Sequence, residues 1–402
     1  MFGDSKLQSY SPKIIEHDLN RYFPELLKFE SIEETEKSAV YRKIKPTVER
    51  ILNAVVQENY APNPKSEIQN PKSVSAVAWN IERGNIFAGI VDALKNHAQL
   101  KDKDLLLLTE LDYGMARSGN RFVAQELAKE LHLNYAFAPV YLALQKGSGV
   151  ESEAPGENTT SIHGLAMFSR FPKKNAHAVR LPNGKDKMLG KEKRLGYLRA
   201  LIADIEHPAG TFRAVTTHLD AHCSRKHRHR QMKIILDHLE TLPALPTVIG
   251  GDWNTTTFNS QNSTRAILGY WRRVLMGPKR VTKKHFPHPD RFFEKGLFGE
   301  LTRRGYDYKS LNEIGVGTLH YDVESIEKNT NLRDWVPEWC FPFIFWAAGR
   351  VGGRVSGRLD WFAGKGVKVQ GKPRTIGNLK DANDTPLSDH DAIALDFTLS
   401  KS

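Results

Sequence analysis

The order of apolar segments predicts an α/β fold for this chain of 402 residues. Continuous apolar runs, such as residues 104–109, alternate with segments of helical periodicity, such as residues 86–97. A strand that is apolar at every position is covered on both faces, which is typical of sheets flanked by helices. The composition, with 40% hydrophobic and 26% charged residues, is that of a soluble globular protein.

Cysteine usage and the absence of apolar runs predict a cytoplasmic protein. The two cysteines, Cys223 and Cys340, cannot build a disulfide framework, and their spacing is not that of a zinc site. The first residues lack the basic-then-apolar order of a signal peptide. No run approaches the roughly 20 apolar residues that a transmembrane helix needs.

Residues 1–72 are predicted to form a helical arm and linker. Ser31 and Glu34 have the spacing of a capping box, which places a helix start at Ser31, and Pro46 predicts a break in that helix. A stiff proline-containing linker then leads to the catalytic region, predicted to cover residues 73–399.

The catalytic region begins with a strand and continues as alternating strands and helices. We predict strands at residues 74–79, 104–109, 135–144, 163–169, 198–206, 211–219, 248–249, 358–362 and 392–399. We predict helices at residues 86–97, 120–131 and 224–242. Residues 258–357 show no clear pattern, and we expect this insertion-rich part to select the substrate.

Polar residues of a restricted kind follow the predicted strands. They are Asn80, Glu82, Glu110, His218, Asp252, Asn254, Asp360, Asp389 and His390. Polar groups at strand ends of an α/β scaffold collect where loops converge. Carboxylates and carboxamides without thiolates favour a hard cation, Mg²⁺ or Mn²⁺. Two histidines beside such a cation could supply proton transfer for the cleavage of a phosphoester.

Seven short segments carry a family resemblance. They are Trp79-Asn80-Ile81-Glu82, Thr109-Glu110, Ser169-Arg170, Thr217-His218-Leu219, Gly251-Asp252-Trp253-Asn254, Arg358-Leu359-Asp360-Trp361 and Ser388-Asp389-His390. Over residues 74–399 this order resembles the endonuclease/exonuclease/phosphatase superfamily, in its deoxyribonuclease and neutral sphingomyelinase branch. The resemblance implies a four-layer α/β sandwich, in which two mixed β-sheets pack face to face with helices outside. It also implies a divalent-metal-dependent phosphoesterase.

The resemblance implies a role for each site residue. Glu110 would be the main metal ligand, with Asn80, Glu82 and Asp389 as further ligands. Asp252 would orient or deprotonate the attacking water, and Asn254 would bind the phosphate. His390 would be the catalytic histidine, held by Asp360. His218 would contact a phosphate oxygen; abasic-site endonucleases use tyrosine there, which disfavours that branch.

Several residues keep a structural alternative. Glu82 could be an exposed turn acid, Asp112 a helix cap, and His163 a structural residue in a strand. The histidines and arginines of residues 222–230 favour a solvated basic helix face over a metal cluster.

Uneven charge favours a nucleic-acid substrate. The net charge is +12, and residues 170–199 and 272–304 each hold ten Lys and Arg, against two and three acids. Two solvated loops would give the same count. Inositol phosphates are also polyanions. The aromatic residues of 335–346 keep a sphingomyelinase-like lipid substrate and a membrane-surface contact open, and a non-catalytic binding scaffold is the remote alternative.

Overall fold

Two mixed β-sheets pack face to face in the computed structural model, which describes residues 12–62, 72–255, 263–322 and 354–400 and positions 346 and 349. Helices cover the outer face of each sheet. The predicted four-layer α/β sandwich is therefore confirmed. The aromatic stretch 335–346 and its predicted membrane contact lie, apart from Trp346, outside the described residues.

The strands form one large sheet, one smaller sheet and one ribbon. They are β1 (Val56–Glu58), β2 (Val74–Arg83), β3 (Leu105–Tyr113), β4 (Asn134–Ala143), β5 (Ile162–Ser169), β6 (Lys173–Arg180), β7 (Arg194–Gly196), β8 (Arg199–His207), β9 (Gly210–Thr217), β10 (Thr247–Asp252), β11 (Leu319–Asp322), β12 (Arg354–Gly357), β13 (Asp360–Lys365), β14 (Val367–Ile376) and β15 (Ala392–Leu399). The large sheet has the order β1-β4-β5-β3-β2-β15-β14, with β7 paired to β4, and the smaller one β13-β10-β9-β8-β6. Only the pairs β2–β3 and β9–β10 are parallel among the described strands.

The helices are mostly short. They are α1 (Phe23–Leu26), α2 (Ile32–Lys37), α3 (Ala39–Asn53), α4 (Phe87–Asn96), α5 (Val123–Leu131), α6 (Arg225–Thr241), α7 (Ser263–Leu275), α8 (Pro278–Arg280), α9 (Pro289–Phe292) and α10 (Lys295–Arg303). Short 3₁₀ turns lie at Leu19–Tyr22, Ala116–Ser118, Gly149–Glu153 and Lys187–Leu189, and a π-helical turn at Val281–His285. Of the helices described, none is both long and apolar enough to cross a bilayer.

Alternate residues of the central strands enter two different hydrophobic cores. In β2, Ala76 and Ala78 belong to the core between the sheets, whereas Val77 and Trp79 pack under the helices that cover the large sheet. A strand with both faces buried must be apolar at every position, and this explains the continuous runs in the sequence. The packing of these faces fixes the strand register, and with it the positions of the strand ends.

The N-terminal segment packs closely on the large sheet. The buried side of α3 enters the core of the large sheet through Ile44 and Val48, and β1 extends that sheet by pairing with β4. The predicted start at Ser31 is right, because its Oγ accepts a hydrogen bond from the Glu34 amide at 3.1 Å. The division of the chain near residue 72 stays a prediction.

The predicted break at Pro46 is wrong. Helix α3 runs through this proline, and the break comes earlier, at Ser38, whose Oγ caps α3 by accepting from the Tyr41 amide at 3.1 Å. Pro46 leaves the carbonyl of Arg42 without its helical donor. Both residues are exposed, so water can hydrate that carbonyl and the helix continues.

The predicted solvated basic face of residues 222–230 is only partly present. Arg228 is 1% exposed and donates to Glu294 Oε1 through Nε at 2.9 Å and through a terminal nitrogen at 2.6 Å. This buried pair joins α6 to the segment just before α10 and fastens the two outer helices together. His227 is also engaged, with its ring Nε2 2.9 Å from the carbonyl of Pro182.

The buried pair gives a first prediction, on stability. Glu294→Leu should lower the free energy of unfolding by about 3–5 kcal/mol, because it removes the carboxylate that neutralises the buried Arg228 charge. The double variant with Arg228→Met should be more stable than Glu294→Leu alone, since both charges are then gone. Urea denaturation measures all three proteins. A double variant as unstable as the sum of its single variants would contradict this account.

Candidate functional site

The predicted polar residues come together at one edge of the sandwich. Glu110, His218, Asp252, Asn254, Asp389 and His390 all line one cleft of about 180 Å³. The remaining three contact members of that set: Asn80 donates to Glu110 and Asp252, Asp360 pairs with His390, and Glu82 accepts from the Asp389 amide. Residues spread over more than 300 positions of the chain thus share one site.

Irregular backbone at the strand ends sets the direction of three of these side chains. Glu82 and Glu110 have positive φ angles of 44° and 57°, and Asn254 has a φ of 50°. The ladder between β2 and β3 shifts register after Asn80, and the one between β3 and β5 shifts at Glu110. Such bulges re-aim side chains near strand ends, and each left-handed non-glycine residue costs roughly 1–3 kcal/mol. Strain of this kind often marks functional sites.

Gly251 allows the neighbouring strands β9 and β10 of the smaller sheet to approach each other closely. Its φ is 135°, and a Cβ atom on it would lie 2.1 Å from the carbonyl oxygen of Thr217. No other residue type fits there without a backbone shift. The close approach sets the next residues of the two strands, His218 and Asp252, side by side.

Asp252 is the centre of the site. One carboxylate oxygen, Oδ2, lies 3.2 Å from Asn80 Nδ2, 3.4 Å from His218 Nε2, 3.4 Å from Asn254 Nδ2 and 3.8 Å from His390 Nε2. The other oxygen, Oδ1, accepts a hydrogen bond from the backbone N–H of Asn254 at 2.9 Å. Four side chains from both sheets therefore surround one buried carboxyl oxygen.

His390 is fixed from both sides. Its ring Nδ1 lies 2.7 Å from Asp360 Oδ2, and its carbonyl accepts a hydrogen bond from the Trp79 indole at 2.9 Å. Burial disfavours the imidazolium, but the carboxyls of Asp360 and Asp252 outweigh burial and raise the pKa of His390 well above its ordinary value. The ring thus presents Nε2 to the cleft while Asp360 holds Nδ1.

Glu82, Glu110 and Asp389 form a group of neighbouring acids at the site. Burial, and next the nearby Asp389 carboxyl, raise the pKa of Glu82 to about 8, and burial also raises the pKa of Asp389. Burial opposes the charge of Glu110 as well, yet Arg83 and His218 hold its pKa well below the ordinary range. Acids that crowd together and resist ionisation are the arrangement that a bound cation relieves.

A second group could also hold a metal ion. Asp252, Asp360 and His390 each offer a ligand atom, and these atoms lie within 4.8 Å of one another. This group overlaps the hydrogen-bonded pair of His390 and Asp360 described above.

Asp112 and His163, for which the sequence also allowed a purely structural role, belong to one buried network. Asp112 is not a helix cap: its carboxylate accepts from Arg117 at 2.7 and 3.0 Å and lies 2.8 Å from the ring of His163. His163 lines the cleft from this network.

The sequence prediction missed Arg83, which also lines the cleft and lies 3.7 Å from Glu110 and 2.9 Å from Glu151. Its position directly after Glu82, in the same strand-end turn, was the available signal.

The two basic segments behave differently. Lys187 and Arg194 of the first segment line the cleft, whereas no residue of the second segment does so among the described residues. Lys193 does not face the cleft either, because its ammonium donates to the carbonyls of Leu27 and Phe29 at 2.9 and 2.7 Å. Net charge along the chain could not separate these cases.

The site lies within the part of the chain that matches a known family. The model of the Endonuclease/Exonuclease/phosphatase family matches residues 77–390, which include all nine predicted site residues. Among curated proteins, none matches the chain.

Several solved structures are similar over most of the chain. An endonuclease/exonuclease/phosphatase protein from Beutenbergia cavernae is 16% identical, with 82% of this chain and 72% of that chain covered and a TM-score of 0.47. The catalytic domain of human Nocturnin with bound sulfate is 16% identical (83% and 95% covered, TM-score 0.43). TDP2 from D. rerio, complexed with a single strand DNA product, is 13% identical (81% and 99% covered, TM-score 0.44). The family assignment rests on the family model and not on these likenesses.

The close contact at Gly251 gives a second prediction. Gly251→Ala should lower the free energy of unfolding by about 2–4 kcal/mol, because the new methyl group overlaps the Thr217 carbonyl and the positive φ is strained. The matched control is Gly299→Ala in α10, where a Cβ meets nothing within 4 Å. That change should stabilise the protein by about 0.5–1 kcal/mol. Thermal and urea denaturation compare the two, and equal stabilities would contradict the argument.

Proposed function

Because the chain belongs to the endonuclease/exonuclease/phosphatase family, we propose that it is a divalent-metal-dependent phosphodiesterase whose substrate is nucleic acid. The observation that carries this proposal is the cluster around Asp252 Oδ2, in which two histidines and two amides surround one carboxylate oxygen. A base next to a protonated imidazole and amide donors can activate water and bind a phosphate in one place.

The acidic side of the cleft fits a divalent cation. Members of this family typically use one, and Glu110, Glu82, Asp389 and Asn80 supply the hard oxygen ligands that Mg²⁺ and Mn²⁺ prefer. When bound, such a cation would polarise the phosphate and stabilise the charge that develops during the reaction. We assign it to this side because His390 Nδ1 is already engaged by Asp360, which makes the group of Asp252, Asp360 and His390 the worse fit.

The residues around Asp252 can carry the proton transfers. Asp252 accepts a proton from the attacking water as the new phosphorus–oxygen bond forms. His390 Nε2 donates its proton to the leaving oxygen as the old phosphorus–oxygen bond breaks. Asp252 Oδ2 and His390 Nε2 lie 3.8 Å apart, so a bridging water molecule would return the proton from Asp252 to His390 and restore both groups. Asn254 and His218 hold the phosphate oxygens.

A nucleic-acid substrate is supported by the cations of the cleft. Lys187 and Arg194 line it together with Arg83, and they suit a chain of phosphates. An assay panel with DNA, RNA, sphingomyelin and inositol phosphates, in Mg²⁺ and in Mn²⁺, tests this assignment. Turnover confined to the lipid or to inositol phosphates would refute it.

A lipid phosphodiester is the second candidate. Helix α7 exposes Leu268, Trp271 and Leu275, which recur at helical spacing, and Trp346 is exposed as well. Apolar and aromatic side chains beside basic residues are typical of helices that lie on membrane surfaces. Sedimentation with anionic vesicles, followed by an assay on them, separates this candidate from the nuclease.

Metal dependence is the third prediction. Excess chelator should abolish turnover, because it removes the cation that neutralises the charge of the clustered acids. Added Mg²⁺ or Mn²⁺ should restore turnover. Glu110→Gln should raise the Mg²⁺ concentration needed for half-maximal rate. Full turnover in excess chelator would show that the metal proposal is wrong.

The proton-transfer roles give the fourth prediction. His390→Ala and Asp252→Asn should each lower kcat by on the order of 10²–10⁴, as expected for the loss of a general acid or base. Asp360→Asn should lower kcat less, since the asparagine side chain can still hold the ring of His390. Circular dichroism should show that each variant remains folded. Near-wild-type turnover in His390→Ala would exclude this histidine from the chemistry.

A further inference from the structure

We propose that Lys187 and Arg194 form a second phosphate-binding subsite, which takes the phosphate next to the scissile one on an oligonucleotide strand. This inference rests on the proposed function and specifies its substrate. Both side chains line the same cleft as His218 and Asp252. The wall that joins the two regions is residues 218–222, because His218, Asp220 and His222 all line the cleft.

The two cations flank one aromatic ring. The Lys187 ammonium lies 5.5 Å and the Arg194 guanidinium 5.6 Å from the centre of the Tyr141 ring, and Tyr141 itself is buried. Their side chains are 15% and 25% exposed, and both line the cleft. Cations held against an aromatic face in a cleft are well placed to bind an anion beside a base or sugar.

Lys187 and Arg194 each pair with a carboxylate, and these pairs do not occupy all N–H donors of the two cations. Lys187 Nζ lies 3.5 Å from Asp220 Oδ1, and Arg194 is paired with Glu192. An ammonium has three donors and a guanidinium five. Glu192 is also shared with Arg117, at 3.3 Å, so its charge is divided between two guanidinium groups. The pair therefore keeps capacity for a phosphate.

The two cations act electrostatically on His222, which also lines the cleft. Burial is the main cause that lowers the pKa of His222, to about 3, and Lys187 and Arg194 lower it further against the attraction of Asp220. The neutral histidine adds no charge to the cleft. The subsite is thus cationic in its lysine and arginine, as a phosphate requires.

The N-terminal segment holds the loop that carries both cations. Asp186 Oδ2 accepts a hydrogen bond from the Ile32 amide at 2.8 Å, and Lys193 donates to the carbonyls of Leu27 and Phe29. On the inner side, Asp220 Oδ2 accepts from the Gly184 amide at 2.5 Å. Anchors on both sides fix the loop before a ligand arrives, which reduces the entropy lost on binding.

The experiment compares substrates that differ by one phosphate. The wild-type protein, Lys187→Gln and Arg194→Gln are assayed on a dinucleotide with one internal phosphate and on the same dinucleotide with an added 5′- or 3′-phosphate. The added phosphate should lower the wild-type KM by about tenfold or more, as a charge-assisted contact would. Both variants should lose this gain, so that the added phosphate no longer lowers their KM relative to the one-phosphate dinucleotide.

Three controls keep the outcome clear. Lys191→Gln changes an exposed lysine of the same loop that does not line the cleft, and it should behave as wild type. Lys187→Arg and Arg194→Lys keep the charge and should retain most of the gain. Circular dichroism should show that all variants remain folded. A gain that persists in both glutamine variants would overturn the subsite.

Binding without turnover separates this inference from the proposed function. Calorimetry compares thymidine 3′,5′-bisphosphate with thymidine 5′-monophosphate, and inositol 1,4-bisphosphate with inositol 1-phosphate. A gain with the second nucleotide phosphate, lost in Lys187→Gln, supports the subsite even if no substrate is cleaved. A gain confined to the inositol pair would overturn the assignment to nucleic acid. No gain in either pair would overturn the subsite, even if the dinucleotide is hydrolysed.

Discussion

The site depends on how two sheets meet at one oxygen atom. Asn80 reaches Asp252 Oδ2 from the large sheet, His218 and Asn254 reach it from the smaller sheet, and His390 approaches from the segment before β15. The contacts of Asn80 and His390 with Asp252 would be lost if one sheet slipped over the other. The tightly packed core between the sheets therefore determines the chemistry as well as the stability.

The fold and the site positions could be predicted because both are local patterns. The part of a strand that is buried on two faces must be apolar, as residues 76–79 of β2 and 105–108 of β3 are, and a polar residue directly after such a run lies at the sheet edge. Asp252 and His218 were found in this way. The structure places them side by side, while their roles stay proposals.

What could not be predicted depends on contacts between distant segments. Net charge gave Lys187 and Lys193 the same weight, yet one faces the cleft and the other holds the N-terminal segment. The helix through Pro46 depends on which side of α3 faces water, and the burial of Arg228 depends on Glu294, 66 residues away. None of these partners is visible in a window of neighbouring residues.

The place of β15 has a consequence for the protein during its synthesis. This late strand pairs with β2 and β14 inside the large sheet, so that Ile393 lies opposite Ala78, and the residues just before it include His390. While the ribosome is still adding these residues, β2 has an unpaired edge and the cleft lacks His390. A nascent chain at this stage therefore exposes a strand edge that can pair with another unfinished chain, so these residues protect the large sheet from edge-to-edge aggregation.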